Sequence, residues 1–336
     1  MRVLLMAVLL ALVGYDPAQA HTPTKPVALD TGLVTGLEHE GVEFFKGIPY
    51  AAPPVGSLRW RAPQPAAPWQ GVRAATAFGK SCPQSLRPEK PLKLEDVSED
   101  CLTLNVWRPV GASRLPVMVW IHGGGLTEGS SAFTSSDGTA FARGGVMLVA
   151  INYRLGRLGL FAHPALTKEN ADGGRLANYG LMDQIAALAW VKRNIAAFGG
   201  DPNNVTIFGE SAGGASVDTL MISPLALGLF HAAISQSGYG RGAFQRVSTI
   251  SSEGVRSGET EGVMFAESLG LKGDDLAGLR AVPAQKIAEM PIASEKLYHF
   301  MLDGKVITRD MWDVFRSNEE APVPFMIGSK IGRAHV

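Results

Sequence analysis

Short apolar runs alternate with helical patterns through the middle of the chain. Apolar runs of strand length occupy residues 117–121, 146–152, 205–208, 232–236 and 324–327. Residues 179–198 place apolar side chains at helical spacing, and Gly199 and Gly200 then end that helix. Continuous apolar strands separated by helices are typical of a parallel sheet with helices on both faces. The pattern therefore predicts an α/β fold with a mostly parallel central sheet.

The segments on either side of this region are less regular. Residues 33–37 and 41–45 predict a small hairpin. Apolar and polar residues alternate over residues 102–107, which predicts a further strand. The proline-rich stretch over residues 51–68 excludes regular structure there. Residues 258–269, 274–281 and 284–290 predict short helices.

The first twenty residues have the pattern of a secretory signal peptide. Arg2 precedes an unbroken apolar run over residues 3–13, and Ala18 and Ala20 form a small-residue cleavage site before His21. A membrane anchor is the alternative, but the run is too short to span a bilayer comfortably. We therefore expect residues 1–20 to be removed and the mature protein to be secreted or periplasmic, with no membrane span.

Cysteine usage, charge and histidine positions limit which bonds, partners and bound groups the sequence predicts. We expect Cys82 and Cys101 to form a disulfide, because an exported protein folds in an oxidising compartment; two buried free thiols are the alternative. Lys and Arg together number 31, and so do Asp and Glu, which gives no reason to expect a nucleic acid as partner. His122 and His163 are isolated, so the sequence predicts no metal site and no cofactor.

One short motif points to a nucleophile. Residues 209–213 are Gly-Glu-Ser-Ala-Gly, directly after the strand predicted at 205–208 and before small residues that can open a helix. This is the G-x-S-x-G nucleophile elbow, in which a sharp turn raises the serine hydroxyl above the sheet. A glycine-rich turn also fits the bare pattern by chance. The strand before it and the small residues after it favour Ser211 as a catalytic nucleophile.

A second motif supplies candidate oxyanion donors. His122-Gly-Gly-Gly follows the strand predicted at 117–121, and a glycine loop presents backbone N–H groups without side chains in the way. Alone, it is best explained as a tight turn. Upstream of an elbow it matches the oxyanion hole of α/β-hydrolases, whose other donor follows the nucleophile. The predicted donors are Gly124, Gly125 and Ala212.

Longer strings around these motifs resemble the type-B carboxylesterases, a family that includes cholinesterases and some lipases. The matching strings are SEDCLTLNVW at 98–107, NYRLG at 152–156, NYGLMDQ at 178–184 and FGESAGG at 208–214. The resemblance covers residues 41–329. It implies an α/β-hydrolase fold and a disulfide from Cys101 to an upstream cysteine, which matches Cys82. It also implies that Glu210 lies near the substrate pocket; a structural carboxylate is the alternative.

The catalytic acid and histidine that the resemblance implies have no counterpart in these 336 residues. The fold's order is serine, acid, histidine, and only His231, His299 and His335 follow the nucleophile. His231 is expected at the wrong end of a strand, and surface or packing roles are favoured for the other two. Arg333 stands where the family has its glutamate.

The end of the resemblance defines the expected organisation. We expect an α/β-hydrolase domain over residues 21–330 that is incomplete at its C-terminus, and a non-native tail over residues 331–336. Native sequence continuing through codon 336 in the source genome would overturn the tail hypothesis.

Three functional hypotheses follow. The leading one is hydrolysis of a small-molecule carboxylic ester through a serine acyl-enzyme, with the acid and the histidine missing from these residues. The second is a non-catalytic binding protein on the same fold, which the intact elbow at Ser211 argues against. The third is an inert truncated product, since a serine nucleophile without a base is weak.

Overall fold

The computed structural model describes residues 21–86, 92–174, 176–238, 243–249, 254, 256–291 and 299–329. The expected signal peptide, residues 1–20, and the expected tail, residues 331–336, lie outside the described residues.

The described strands are short near the N-terminus and longest in the middle of the chain. In chain order they are β1 (Thr22–Pro23), β2 (Val27–Leu29), β3 (Gly32–Thr35), β4 (Leu37–His39), β5 (Val42–Pro49), β6 (Val72–Ala74), β7 (Thr103–Pro109), β8 (Leu115–Ile121), β9 (Met147–Ile151), β10 (Gly200–Glu210), β11 (Ala232–Gln236), β12 (Gln245–Arg246), β13 (Met301–Leu302) and β14 (Phe325–Gly328).

The described α-helices lie mainly in the connections between the later strands. They are α1 (Thr139–Arg143), α2 (Gly156–Gly159), α3 (Pro164–Glu169), α4 (Tyr179–Asn194), α5 (Ala212–Ile222), α6 (Gly258–Ser268), α7 (Leu276–Ala281), α8 (Ala284–Glu289) and α9 (Met311–Arg316). The three short helices predicted between residues 258 and 290 correspond to α6, α7 and α8.

One sheet organises the described part of the chain. Nine strands form it in the order β1-β4-β5-β7-β9-β8-β10-β11-β14. Neighbours from β9 to β14 are parallel, whereas those from β1 to β9 are antiparallel. The α/β class is therefore confirmed, with the parallel strands gathered in one half of the sheet. The carboxyl ends of β8, β10 and β11 share one edge, where α/β folds place their ligands.

Burial explains why β9, the middle strand of the large sheet, is apolar along its whole length. All five residues of β9 are buried, and α5 is buried from Ala212 to Ile222. α4 buries its apolar face and ends in a short 3-10 turn, Ile195–Phe198, closed by Gly199 in the left-handed conformation. A sheet covered on both faces needs apolar side chains on both sides of each strand.

The predicted hairpin of residues 33–37 and 41–45 is wrong in its pairing. β3 pairs with β2 and β6 in a small sheet, whereas β4 pairs with β5 in the large one. Gly36 lies between β3 and β4, where the chain passes from the small sheet to the large one, and a Cβ there would be 2.2 Å from the carbonyl oxygen of Phe44. The hairpin that does form turns at Glu40 and Gly41, both with positive φ, as a two-residue hairpin turn requires.

Candidate active site

Ser211 lies in a strained turn between β10 and α5. Its φ of 58° and ψ of −119° are unfavourable for a residue with a side chain. The Ser211 N–H donates to the carbonyl of Gln236, at the end of β11, at 2.8 Å. Among the described residues its hydroxyl has no hydrogen-bond partner. The turn therefore holds a half-buried hydroxyl at the carboxyl edge of the parallel strands.

The glycines of the elbow are required by backbone contacts. A Cβ on Gly209 would lie 2.5 Å from the carbonyl carbon of Gly213, and one on Gly213 would lie 2.1 Å from the carbonyl oxygen of Ile121. A Cβ on Gly214 would lie 2.7 Å from the carbonyl oxygen of Gln236. Backbone cannot yield to such contacts, so the elbow is packed directly against β8 and β11.

Residues 122–130, named here the glycine loop, begin directly after β8 and pass over the nucleophile. A Cβ built on Gly123 would lie 2.5 Å from the carbonyl oxygen of Glu210 and 3.4 Å from the Cβ of Ser211. Gly124 has a φ of 110°, and its carbonyl accepts the N–H groups of Thr127 and Glu128, both at 3.0 Å. The loop thus turns back on itself immediately beside the elbow.

The predicted oxyanion donors have free backbone N–H groups in this arrangement. Within the described part of the chain, the N–H groups of Gly124 and Gly125 donate to no protein acceptor. Ala212 is the first residue of α5, so its N–H lacks an acceptor within the helix. The positive end of the helix dipole adds to the attraction for an anion.

His122 anchors the start of the glycine loop. Its ring is buried and stacks on Tyr153 with 4.4 Å between ring centroids, and the Tyr153 hydroxyl donates to the His122 carbonyl at 2.7 Å. Nδ1 of His122 lies 2.9 Å from the carbonyl oxygen of Gly123, so Nδ1 carries the proton. Burial lowers the pKa of His122 to about 4, and the ring is neutral at pH 7.

A cavity of about 430 Å³ opens beside the elbow. One wall is the glycine loop, through His122, Gly123, Gly124, Glu128, Gly129 and Ser130. The other lining residues are Trp120, Glu210 and Gln236, from β8, β10 and β11, and Phe133 and Ser135, which follow the loop. Of the two interpretations of Glu210, its position on this wall favours the pocket. Sequence reasoning missed Glu128, Phe133 and Gln236, because only the fold brings them to the cavity.

A second cavity, of about 460 Å³, lies at the opposite ends of the same strands. Arg114, Gly199 and Gly200 line it, and Gly200 is the first residue of β10. Ser211 follows the last residue of β10, which spans eleven residues, or roughly 35 Å of extended chain. This cavity is therefore remote from the nucleophile.

Among the described residues, no histidine is hydrogen-bonded to the Ser211 hydroxyl. His231, directly before β11, pairs with Val205 in the middle of β10, and its Nδ1 accepts the Val205 N–H at 3.3 Å. Val205 precedes Ser211 by six residues, roughly 20 Å along the strand. His163 caps α3 through its Nδ1, at 3.1 Å from the Ala165 nitrogen. His299 is exposed before β13, and His335 lies outside the described residues.

The remaining chemical predictions concern cysteines, metals and membranes. Cys82 and Cys101 form a disulfide with 5.1 Å between their Cα atoms. In the described ranges, no group of three or more His, Cys, Asp or Glu side chains is arranged to hold a metal ion. None of the described helices combines the length and the apolar character that a bilayer crossing needs.

Known proteins are similar to this chain in sequence and in fold. The model of the carboxylesterase family matches residues 23–332. The chain is 40% identical over 331 residues to the fumonisin B1 esterase of Sphingopyxis macrogoltabida, which covers 94% of this chain and 58% of that protein. It is 39% identical over 316 residues to the para-nitrobenzyl esterase of Bacillus subtilis, which covers 90% of this chain and 62% of that protein.

A solved structure agrees with the sequence relatives. A PNB esterase structure has a TM-score of 0.78 and 39% identity to this chain, and the match covers 91% of this chain and 63% of that one. The match spans 58% of the fumonisin B1 esterase and 62% of the para-nitrobenzyl esterase, so the chain covers less than two thirds of either relative. The fold is that of the α/β-hydrolases, and the chain belongs to the carboxylesterase family.

Proposed function

We propose that this protein hydrolyses small-molecule carboxylic esters through an acyl-enzyme on Ser211. The observation that carries the proposal is the close approach of the glycine loop to the strained elbow, with a Cβ on Gly123 only 3.4 Å from the Cβ of Ser211. A nucleophile, free backbone donors and an adjoining cavity then lie together. Backbone strain of this kind is found at functional sites, and a strained serine hydroxyl beside free N–H donors favours a nucleophile over a purely structural residue.

The chemistry of acyl transfer assigns a role to each group. The Ser211 oxygen attacks the ester carbonyl while a general base takes the hydroxyl proton. The N–H groups of Gly124, Gly125 and Ala212 stabilise the negative oxygen of the tetrahedral intermediate. Collapse expels the alcohol, which receives the proton from the base. Water then attacks the acyl-enzyme, releases the carboxylic acid and restores the serine.

The base and its orienting acid are proposed to come from outside the described residues. No described histidine is hydrogen-bonded to the Ser211 hydroxyl. Burial lowers the pKa of His122 to about 4, so its ring is a weak proton acceptor at pH 7. The oxyanion donors act without a base, and in a serine hydrolase deprived of its triad they retain roughly 10³-fold rate enhancement or more.

We also propose that the protein is exported. Support comes from the signal-peptide pattern of residues 1–20 and from a buried disulfide, which persists in oxidising compartments. N-terminal sequencing of the protein recovered outside the cytoplasm should begin at His21. Recovery of the chain with residues 1–20 attached, inside the cytoplasm, would contradict export.

A fluorophosphonate probe tests the proposed function directly. The 336-residue chain and its Ser211→Ala and Ser135→Ala variants are incubated with the probe, and adducts are located by peptide mass spectrometry. Ser135 is the matched control, since it lines the same cavity outside the elbow. We expect slow labelling at Ser211 alone, retained in Ser135→Ala and lost in Ser211→Ala.

Two other outcomes would change the conclusion. No adduct, or an adduct on another residue, would refute Ser211 as the nucleophile. Labelling as fast as that of the para-nitrobenzyl esterase of Bacillus subtilis under the same conditions would refute the expectation that these residues lack a working base.

A further inference from the structure

Gln84 is a buried amide between the disulfide and the glycine loop. It follows Cys82 by two residues, and only 3% of its surface is exposed. Its Nε2 donates to the carbonyls of Gly129, at 2.9 Å, and of Cys82, at 3.1 Å. Its Oε1 accepts the Gly129 N–H at 3.0 Å. One side chain therefore satisfies both backbone groups of Gly129.

Gly129 in turn holds the start of the glycine loop. Its φ is 124°, and a Cβ there would lie 2.3 Å from Nδ1 of His122 and 2.6 Å from the carbonyl oxygen of Gly123. Gly123 is the residue that approaches Ser211. A continuous line of contacts therefore runs from Gln84 through Gly129 to the residues beside the nucleophile.

The segment that carries Gln84 is fixed at several points. The Ser81 hydroxyl donates to that of Ser130 at 2.9 Å, and Asn152 Nδ2 donates to the Lys80 carbonyl at 3.0 Å. The disulfide joins Cys82 to the residue two positions before β7. Movement of Gln84 relative to the large sheet is thus restrained by covalent and hydrogen bonds together.

From this arrangement we propose that Gln84 is a positioning residue for the oxyanion-binding glycine loop, held in place by the Cys82–Cys101 disulfide. This inference rests on the proposed function of that loop. Gly129 presents one donor and one acceptor, and a neutral amide of glutamine length matches both. Gln84 does not reach the substrate; it acts by fixing the loop that carries the N–H groups of Gly124 and Gly125.

Variants of Gln84 separate positioning from general stability. Gln84→Met removes both hydrogen bonds to Gly129, and Gln84→Glu keeps the acceptor and the shape while losing the donor. Gln285→Ala is the matched control, because Gln285 Nε2 donates to the Gln84 carbonyl at 2.9 Å and makes no bond to the glycine loop. The unfolding midpoint of each variant is measured first.

Two local readouts are then compared in the whole 336-residue chain. Amide hydrogen exchange over residues 122–130 should become about tenfold faster in Gln84→Met, because two net hydrogen bonds restrain that segment. With the fluorophosphonate probe, the rate constant of Ser211 labelling at saturating probe should fall about tenfold, less than the 10²–10³-fold loss of a whole oxyanion donor. Gln84→Glu, which buries a carboxylate against the carbonyl oxygens of Gly129 and Cys82, should change both by at least as much, and Gln285→Ala should change neither.

The outcomes are distinguishable. An unchanged labelling rate constant, or a loss only in the fraction of chains that label, would make Gln84 structural and overturn the proposal. Unchanged exchange over residues 122–130 in Gln84→Met and Gln84→Glu would overturn it as well. If the unmodified chain fails to label at Ser211, the proposed function fails, and the exchange data alone then decide whether Gln84 fixes the loop.

Discussion

The buried ion pair between Arg154 and Asp183 gives the sharpest test of the scaffold behind the site. The Arg154 guanidinium binds the carboxylate through Nε at 2.8 Å and Nη2 at 2.7 Å, and the Arg154 N–H donates to the same carboxylate at 3.0 Å. The two side chains are 3% and 0% exposed. The pair joins the segment after β9 to the first turns of α4, so Asp183→Ala removes three hydrogen bonds at once.

The expected loss follows from what the substitution leaves behind. A guanidinium without its carboxylate stays buried and uncompensated, and breaking such a pair costs about 3–5 kcal/mol of unfolding free energy. With a urea m-value of about 3–4 kcal/mol per molar for a chain of this size, the midpoint should fall by about 1 M. Tryptophan fluorescence in a urea series at pH 7 measures it.

Two comparisons make the result decisive. Lys168→Ala removes an ion pair with Asp274 in which both side chains are more than two-thirds exposed, and it should leave the midpoint unchanged. The double variant Arg154→Met with Asp183→Leu should recover part of the loss, since no buried charge is left unpaired. If Asp183→Ala shifts the midpoint no more than Lys168→Ala does, the reasoning is refuted.

Three further predictions concern the elbow, the glycine loop and the disulfide. Gly213→Ala brings a Cβ to 2.1 Å from the carbonyl oxygen of Ile121, in β8, and should abolish labelling of Ser211 by the fluorophosphonate probe. Gly328→Ala is the control, because the space around Gly328 is open, and it should leave labelling unchanged. Equal labelling of the two variants would contradict the packing argument. His122 has its pKa lowered from 6.5 to about 4, so the stability that its neutral ring contributes is complete above pH 6.5 and is lost as the pH falls towards 4, by about 3 kcal/mol. Urea midpoints at pH 7 and 4.5 should therefore differ less in His122→Gln than in the unmodified chain, and an identical difference would argue against this linkage. Replacing Cys82 and Cys101 by Ala should lower the free energy of unfolding by about 3 kcal/mol, because the disulfide closes a loop with a sequence separation of 19 residues. The shift of the urea midpoint measures this loss, and an unchanged midpoint would mean that the disulfide does not stabilise the fold.

Apolar runs predicted the core strands because burial on both faces leaves a continuous signal. Residues 232–236 match β11, and residues 117–121 fall within β8. β10 starts at Gly200, five residues before the predicted strand. The prediction missed this first part because Asp201, Asn203 and Asn204 are polar and the pairing with β8 is irregular between Gly200 and Val205. Hydrophobicity does not detect a strand segment whose side chains are solvated.

The residues of the candidate site also differ in whether their role is encoded locally or depends on distant contacts. Ser211, Ala212 and the glycines of residues 122–125 are recognisable because a turn, a helix start and a close backbone approach each demand particular residues locally. Gln84 and Gln236 gave no comparable signal, since their positions depend on contacts with segments far away in the chain. The pairing of β3 was mispredicted for the same reason, because alternation marks a strand without naming its partner.

The strained conformation of Ser211 also has a consequence for assembly of the molecule. A backbone with φ of 58° persists only while its surroundings enforce it, and those surroundings are β8, β10 and β11, which come from separate stretches of the chain. A partly folded chain that lacks one of these neighbours would let the serine relax to an ordinary turn. Reactivity of the serine therefore reports that β8, β10 and β11 have paired, and during refolding it should appear only after these three separate segments have come together.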